Sequence, residues 1–337
     1  MKLKEFLNKY DTVIFDMDGV ITSEQNYWNS AALTVWEYLK WNNGENIDTA
    51  EGMERLDEIR STVFCNDELI GVLKGKGVNS NWDLGYVTVL IAWICGGKNY
   101  GGDFSEVLEY AKMLSDNILD EYDVLAEKAA AQTGFDYDWM RRNNLMWTTM
   151  QDIFQEWFLG DKLNGRASVH GFKSGLLNRE EPIVDKARLR ELMRDLSVNR
   201  RLCTGTGRPK TEMLCPLEDW GIKQYFAEDG LCNYNYVAAA EKRLGVTLTK
   251  PHPYMFLKAL YGTGYDDERI LNGDYDKSKT ERTLIVGDAG ADILAAKTMG
   301  ADFCAVLTGI NGVEARGYFE EMNAEYILDS VLDMETE

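Results

Sequence analysis

The sequence predicts an α/β protein that carries a large, mainly helical insertion. Two observations point there. Short apolar and β-branched runs near 12–15, 201–204, 283–286 and 303–307 each stop at a turn, as strands buried in a parallel sheet do. Residues 23 to about 178 instead read as mainly helical. A chain of 337 residues is long enough for two domains with sizeable cores.

The first run, Thr12-Val13-Ile14-Phe15, ends in Asp16-Met17-Asp18-Gly19. Two carboxylates two residues apart thus sit at the carboxyl end of a strand, where open α/β sheets bind ligands. The same residues also make an ordinary Asx turn.

Within the insertion, Asn26 to Lys40 places Trp28, Ala32, Val35, Trp36 and Leu39 at helical spacing. Val87 to Cys95 is the most apolar run. It is too short, and too soon followed by Gly96-Gly97-Lys98, to cross a bilayer, so a buried helix is expected. Gly71-Val72-Leu73-Lys74-Gly75-Lys76 falls one residue short of a P-loop and lacks the following Ser or Thr, and it reads as a turn. Trp82, Tyr86, Trp139, Trp147 and Trp157 read as core, with a specificity pocket as the alternative. The chain is expected to leave the insertion around Gly165 to Pro182, where glycines and a proline punctuate it.

Three further segments carry chemistry. Leu202-Cys203-Thr204-Gly205-Thr206-Gly207-Arg208-Pro209 runs from a strand into a Gly-rich loop and then a helix, offering amides and a hydroxyl to a phosphoryl oxygen. In Thr249-Lys250-Pro251-His252-Pro253 two prolines stiffen the chain around one lysine, a point charge suited to phosphate. Thr283-Leu284-Ile285-Val286-Gly287-Asp288 repeats the strand-to-carboxylate arrangement, and Asp292, four residues on, returns toward the same point if a helix starts there. Asp288 also suits a plain N-cap. Four acids at two strand ends repel one another unless a cation joins them, and an all-oxygen site suits Mg²⁺.

The balance of 36 basic against 56 acidic residues, a net charge of −20, argues against nucleic acid as a partner. Six cysteines without C-x-x-C spacing suggest free thiols in place of zinc or a redox dithiol. Met1 to Tyr10 lacks the apolar stretch of a signal peptide, so a cytoplasmic location and no membrane partner are expected. With two histidines and no G-x-S-x-G, serine-type hydrolysis has little support.

Taken in order, Asp16-x-Asp18, the threonine after a strand, Lys250 and Gly287-Asp288-x-x-x-Asp292 resemble the four motifs of the haloacid dehalogenase superfamily. The resemblance covers the first two dozen residues and about 180 to 330. Asp16-Met17-Asp18-Gly19-Val20-Ile21 followed by Ser23-Glu24 is similar to the phosphatase and β-phosphoglucomutase-like branch. The dehalogenases lack the second aspartate, so Asp18 implies phosphoryl transfer. The resemblance implies a Rossmann-like doubly wound parallel sheet core, residues 1–22 and 179–337, and a helical cap domain, residues 23–178. It also implies a Mg²⁺-dependent phosphatase for a small phosphorylated metabolite, working through an aspartyl-phosphate at Asp16. Asp18 would be general acid and base. Thr206, the Gly207 amide and Lys250 would hold phosphoryl oxygens, with Arg208 reaching a substrate phosphate or carboxylate. Asp16, the Asp18 carbonyl, Asp288 and Asp292 would hold the metal. Thr206 is preferred to Thr204 because the stretch from it to Gly221-Ile222 fits the family's usual length. A β-phosphoglucomutase-like transferase and a non-catalytic binding protein on the same fold are the alternatives.

Overall fold

The computed structural model describes residues 3–78, 80–115, 117–163 and 168–336, and these divide into two compact units. One comprises Met1–Glu24 and Glu180–Glu337, the other Gln25–Arg179.

The first unit is built on a six-stranded sheet. Its strands are β1 (Thr12–Phe15), β2 (Arg201–Gly205), β3 (Phe226–Cys232), β4 (Thr283–Gly287), β5 (Asp302–Val306) and β6 (Tyr326–Leu328). The order is β3-β2-β1-β4-β5-β6 and every pairing is parallel. The chain therefore steps outward in one direction from β1 to β3 and in the other from β4 to β6. That reversal leaves a crevice at the carboxyl ends of β1 and β4.

Side-chain alternation explains why the sheet is covered on both faces. Val13 and Phe15 point into one core, closed by Leu189, Leu192, Met193 and Leu196 of helix Lys186–Ser197. Ile14 points into the other, with Phe256, Ile293 and Met299 of helices Tyr254–Tyr261 and Gly290–Met299. The four runs expected as strands all pair. β3 and β6 lie at the two edges, where charge and partial exposure hide a strand pattern: β3 reads Phe-Ala-Glu-Asp-Gly-Leu-Cys and β6 has three half-buried residues.

The regular elements among the described residues of the second unit are all helices. Helix Gln25–Asn42 buries Trp28, Ala32, Val35 and Leu39 on the expected face and packs against helices Asn81–Gly96 and Leu145–Leu159. Asn81–Gly96 is buried continuously from Asp83 to Trp93. Tyr86 and Trp157 are core, while Trp82, Trp139 and Trp147 are half-buried. Gly71–Lys76 differs from its expectation as a turn: helix Glu68–Gly75 runs through it, because Leu69, Ile70 and Leu73 share one buried face. Of the expected exit segment Gly165 to Pro182, residues 165–167 lie outside the described residues. No helix among the described residues is long and apolar enough to cross a membrane.

Candidate active site

Backbone register alone brings the two strand-end acids together. Phe15 lies opposite Val286, and the Asp16 amide donates to the Val286 carbonyl at 2.9 Å. Asp16 is thus level with Gly287, and Asp288 is one step beyond. Helix Gly290–Met299 then turns Asp292 back, its Oδ2 accepting from the Ala289 amide at 3.3 Å. The helix start is capped by this acid and not by Asp288. Gly287 is required here: a Cβ on it would stand 2.7 Å from the Asp292 Cβ.

Asp16, Asp288 and Asp292 each offer an oxygen, all within 4.8 Å of one another. Lys250 is the counter-charge, its Nζ 3.0 Å from Asp16 Oδ2 and 2.8 Å from Asp292 Oδ1. Burial works against the ammonium, but the two carboxylates outweigh it and hold Lys250 above the ordinary lysine range. Burial, reinforced by Asp292 and Asp18 and opposed by Lys250, pushes the Asp16 carboxyl up to about 7. Burial, reinforced by Asp292 and Asp16, pushes Asp288 well above the usual carboxylate range. Three carboxylates against one ammonium are short of positive charge, and a hard divalent cation such as Mg²⁺ fits that donor set.

Asp18 turns away from this cluster. The chain folds tightly after Met17, whose carbonyl accepts from the amides of Val20, Ile21 and Thr22, with Gly19 at φ +73°. Asp18 Oδ1 accepts from Thr22 Oγ1 at 2.9 Å and from Arg208 Nη2 at 2.6 Å and Nε at 3.0 Å. Arg208 Nε also reaches Oδ2, at 3.2 Å.

The HAD-hydrolase-like family model matches residues 247–334, the stretch that contains Lys250, Asp288 and Asp292. A crystal structure from the Northeast Structural Genomics Consortium is 27% identical, covers 96% of this chain and 97% of its own, and superposes with a TM-score of 0.83. Over that matched stretch the chain is similar to the haloacid dehalogenase-like hydrolases. The fold is also that of phosphatase Tt82 from Thermococcus thioreducens, at 19% identity over 86% of this chain and 90% of that one, with a TM-score of 0.51. No curated protein matches it.

The two candidate threonines separate by position. Thr204 lies inside β2, opposite Phe15, and its hydroxyl meets Met213 Sδ at 3.2 Å in the core. Thr206 is the first residue past the strand. Its Oγ1 accepts from the Arg208 amide at 3.2 Å, which leaves its own proton free to be donated. Gly205 has a packing role, since a Cβ there would stand 2.5 Å from the Phe256 ring, and that ring in turn underlies Lys250 Nζ at 4.8 Å. Gly207 faces open space.

Arg208 corrects an expectation. It is 1% exposed, and its five N–H donors are all engaged: with Asp18, with Glu180 Oε2 at 2.8 Å and Oε1 at 2.6 Å, and with the Glu212 carbonyl at 3.2 Å. It grips two carboxylates of its own chain and has no donor left for a substrate phosphate.

Two groups escaped the sequence reading. Glu180 stands in the charged stretch Arg179-Glu180-Glu181, which carries no motif. Thr308-Gly309 follows β5, so the rule that sites gather at strand ends would have found it. Thr308 Oγ1 donates to the Gly19 carbonyl at 2.5 Å, and Gly309 lies against the Asp288 carboxylate.

Proposed function

We propose that the protein is a Mg²⁺-dependent phosphatase that hydrolyses a small phosphorylated metabolite through an aspartyl-phosphate. The observation that carries this is Lys250 held between Asp16 and Asp292 beside Asp288. Asp16, Asp288, Asp292 and the Asp18 carbonyl would hold Mg²⁺, which when bound offsets the charge of the phosphoryl oxygens.

An oxygen of Asp16 attacks phosphorus and the bond from phosphorus to the ester oxygen breaks. Asp18 supplies the proton that the departing oxygen takes up. Water then attacks the phosphorus, its proton passing to Asp18, and the bond to Asp16 breaks, releasing inorganic phosphate and restoring both carboxyl groups. The Thr206 hydroxyl, the Gly207 amide and the Lys250 ammonium bind the non-reacting phosphoryl oxygens and are in place before charge redistributes. The helical unit, Gln25–Arg179, is read as the cap that selects the substrate. The acidic surface limits the substrate to a small anion that Mg²⁺ and Lys250 can draw in locally.

The test is phosphate release across a panel of phosphorylated metabolites, with Mg²⁺ and with chelator, alongside Asp16→Asn. Release that needs Mg²⁺ and disappears in the variant supports the reading. Full activity in Asp16→Asn, or silence across the panel, removes it.

A further inference from the structure

We propose that Glu180 is a positioning residue for the acid–base step: through Arg208 it fixes which oxygen of Asp18 meets the substrate. The proposal rests on the phosphatase reading and deepens it.

Arg208 is a rigid planar fork with one edge on each acid. Nε and Nη2 face Asp18, Nη1 and Nη2 face Glu180, and the second Nη1 proton goes to the Glu212 carbonyl. The two carboxylates are not equivalent. The Glu180 side chain is 2% exposed and that of Asp18 is 28% exposed, so Glu180 is the anchored end and Asp18 the end that opens outward. A guanidinium with a single carboxylate partner retains freedom to swing about that partner. One held bidentately from behind by a buried acid does not.

The hydrogen bonds at Asp18 are likewise unequal. Oδ1 accepts three donors, from Thr22 Oγ1 and from Arg208 Nη2 and Nε, whereas Oδ2 has only the shared 3.2 Å contact from Nε. Oδ2 is therefore the oxygen with capacity left to carry a proton to and from the reacting phosphate ester. Without the grip of Glu180, only the Glu212 carbonyl holds Arg208 from behind, and Asp18 Oδ1 keeps Thr22 Oγ1 as its one fixed donor, so the distinction between its two oxygens weakens. Glu180 is also the first residue of the second segment of this unit, so the return of the chain from the helical insertion is tied by one guanidinium to the carboxyl that handles the proton.

A defect in proton delivery depends on the leaving group, and this gives the test. β-Glycerophosphate departs as an alkoxide and needs the proton; p-nitrophenyl phosphate departs as a stabilised phenolate and needs it little. Glu180→Gln in the full chain is expected to lower kcat/KM, which reports the steps up to departure of the alcohol, about 10- to 100-fold on β-glycerophosphate and less than about threefold on p-nitrophenyl phosphate. Arg208→Lys, which keeps the cation and loses the fork, is expected to show the same selectivity and serves if Glu180→Gln fails to fold. Equal losses of kcat/KM on both esters would mark Glu180 as merely structural, and no loss on either would make it irrelevant. Both outcomes overturn the proposal while leaving the phosphatase reading intact, provided the parent is active and Asp16→Asn is not. A parent that hydrolyses neither ester removes the reading and this inference together.

Discussion

Gly309 and Asp288 are packed so closely that a Cβ on Gly309 would stand 2.0 Å from Asp288 Oδ2. Gly19 closes the other side, where a Cβ would stand 2.1 Å from the same oxygen. The carboxylate is cradled between the turn after β1 and the loop after β5. Gly309 has no positive φ, so its constraint is contact and not backbone strain. Gly309→Ala should therefore push Asp288 out of the acid cluster and weaken Mg²⁺ binding at least about tenfold by calorimetry. Gly264→Ala, with open space around it, should leave binding unchanged.

Removing the ammonium should expose how strained the carboxylates are. Lys250→Met leaves Asp16, Asp288 and Asp292 without their buried cation. The cost in chelator at pH 8 should be about 3–5 kcal/mol by denaturant unfolding, as for other buried pairs that lose one partner. Added Mg²⁺ should recover part of it, as an ion held by the folded site alone would.

Burial pushes the Asp16 carboxyl up to about 7 in the folded chain from its ordinary value of 3.8. Its folded value is raised, so the folded state binds more protons and this group lowers stability as pH rises from about 4 to about 7. Asp16→Asn lacks the effect. Without divalent ions the variant should gain on the parent across that window, by on the order of 4 kcal/mol at most. A stability difference that is flat with pH would contradict this account.

Burial pushes the Cys203 and Cys232 thiols up to about 12 and Cys304 higher still. All three lie in the sheet with no surface exposed. Iodoacetamide at pH 8 should leave them unlabelled in the native chain and modify them only on unfolding, as read by peptide mass spectrometry.

The central strands and the insertion helices around Trp28 and Val87 were legible because each has a face or a whole run buried, which forces apolar residues into a fixed period. β3 and β6 were not, because an edge strand has one partner and one wet side, and residues such as Glu228 and Asp229 satisfy it as well as valine would. The acids at the ends of β1 and β4 were legible for the opposite reason: charge is rare at the end of a buried strand. Glu180 and Arg208 show the limit. A buried ion pair between distant segments leaves no local trace, and an arginine beside a Gly-rich loop looks the same whether it faces a ligand or the interior.

The pairing of β1 has a consequence for how the chain assembles. Its neighbours, β2 and β4, begin only at Arg201 and Thr283, whereas the helical unit is complete at Arg179. A ribosome adding roughly 5–20 residues per second takes on the order of 10–40 s to travel from β1 to β2. Throughout that time Val13, Ile14 and Phe15 have no strand to join, while the helices of the insertion find their partners within the segment being made. Such long-range pairing is slow and leaves apolar chain uncovered. The strand that ends in Asp16 is made well before β2 or β4, so its place in the sheet is settled only after the whole insertion has been made.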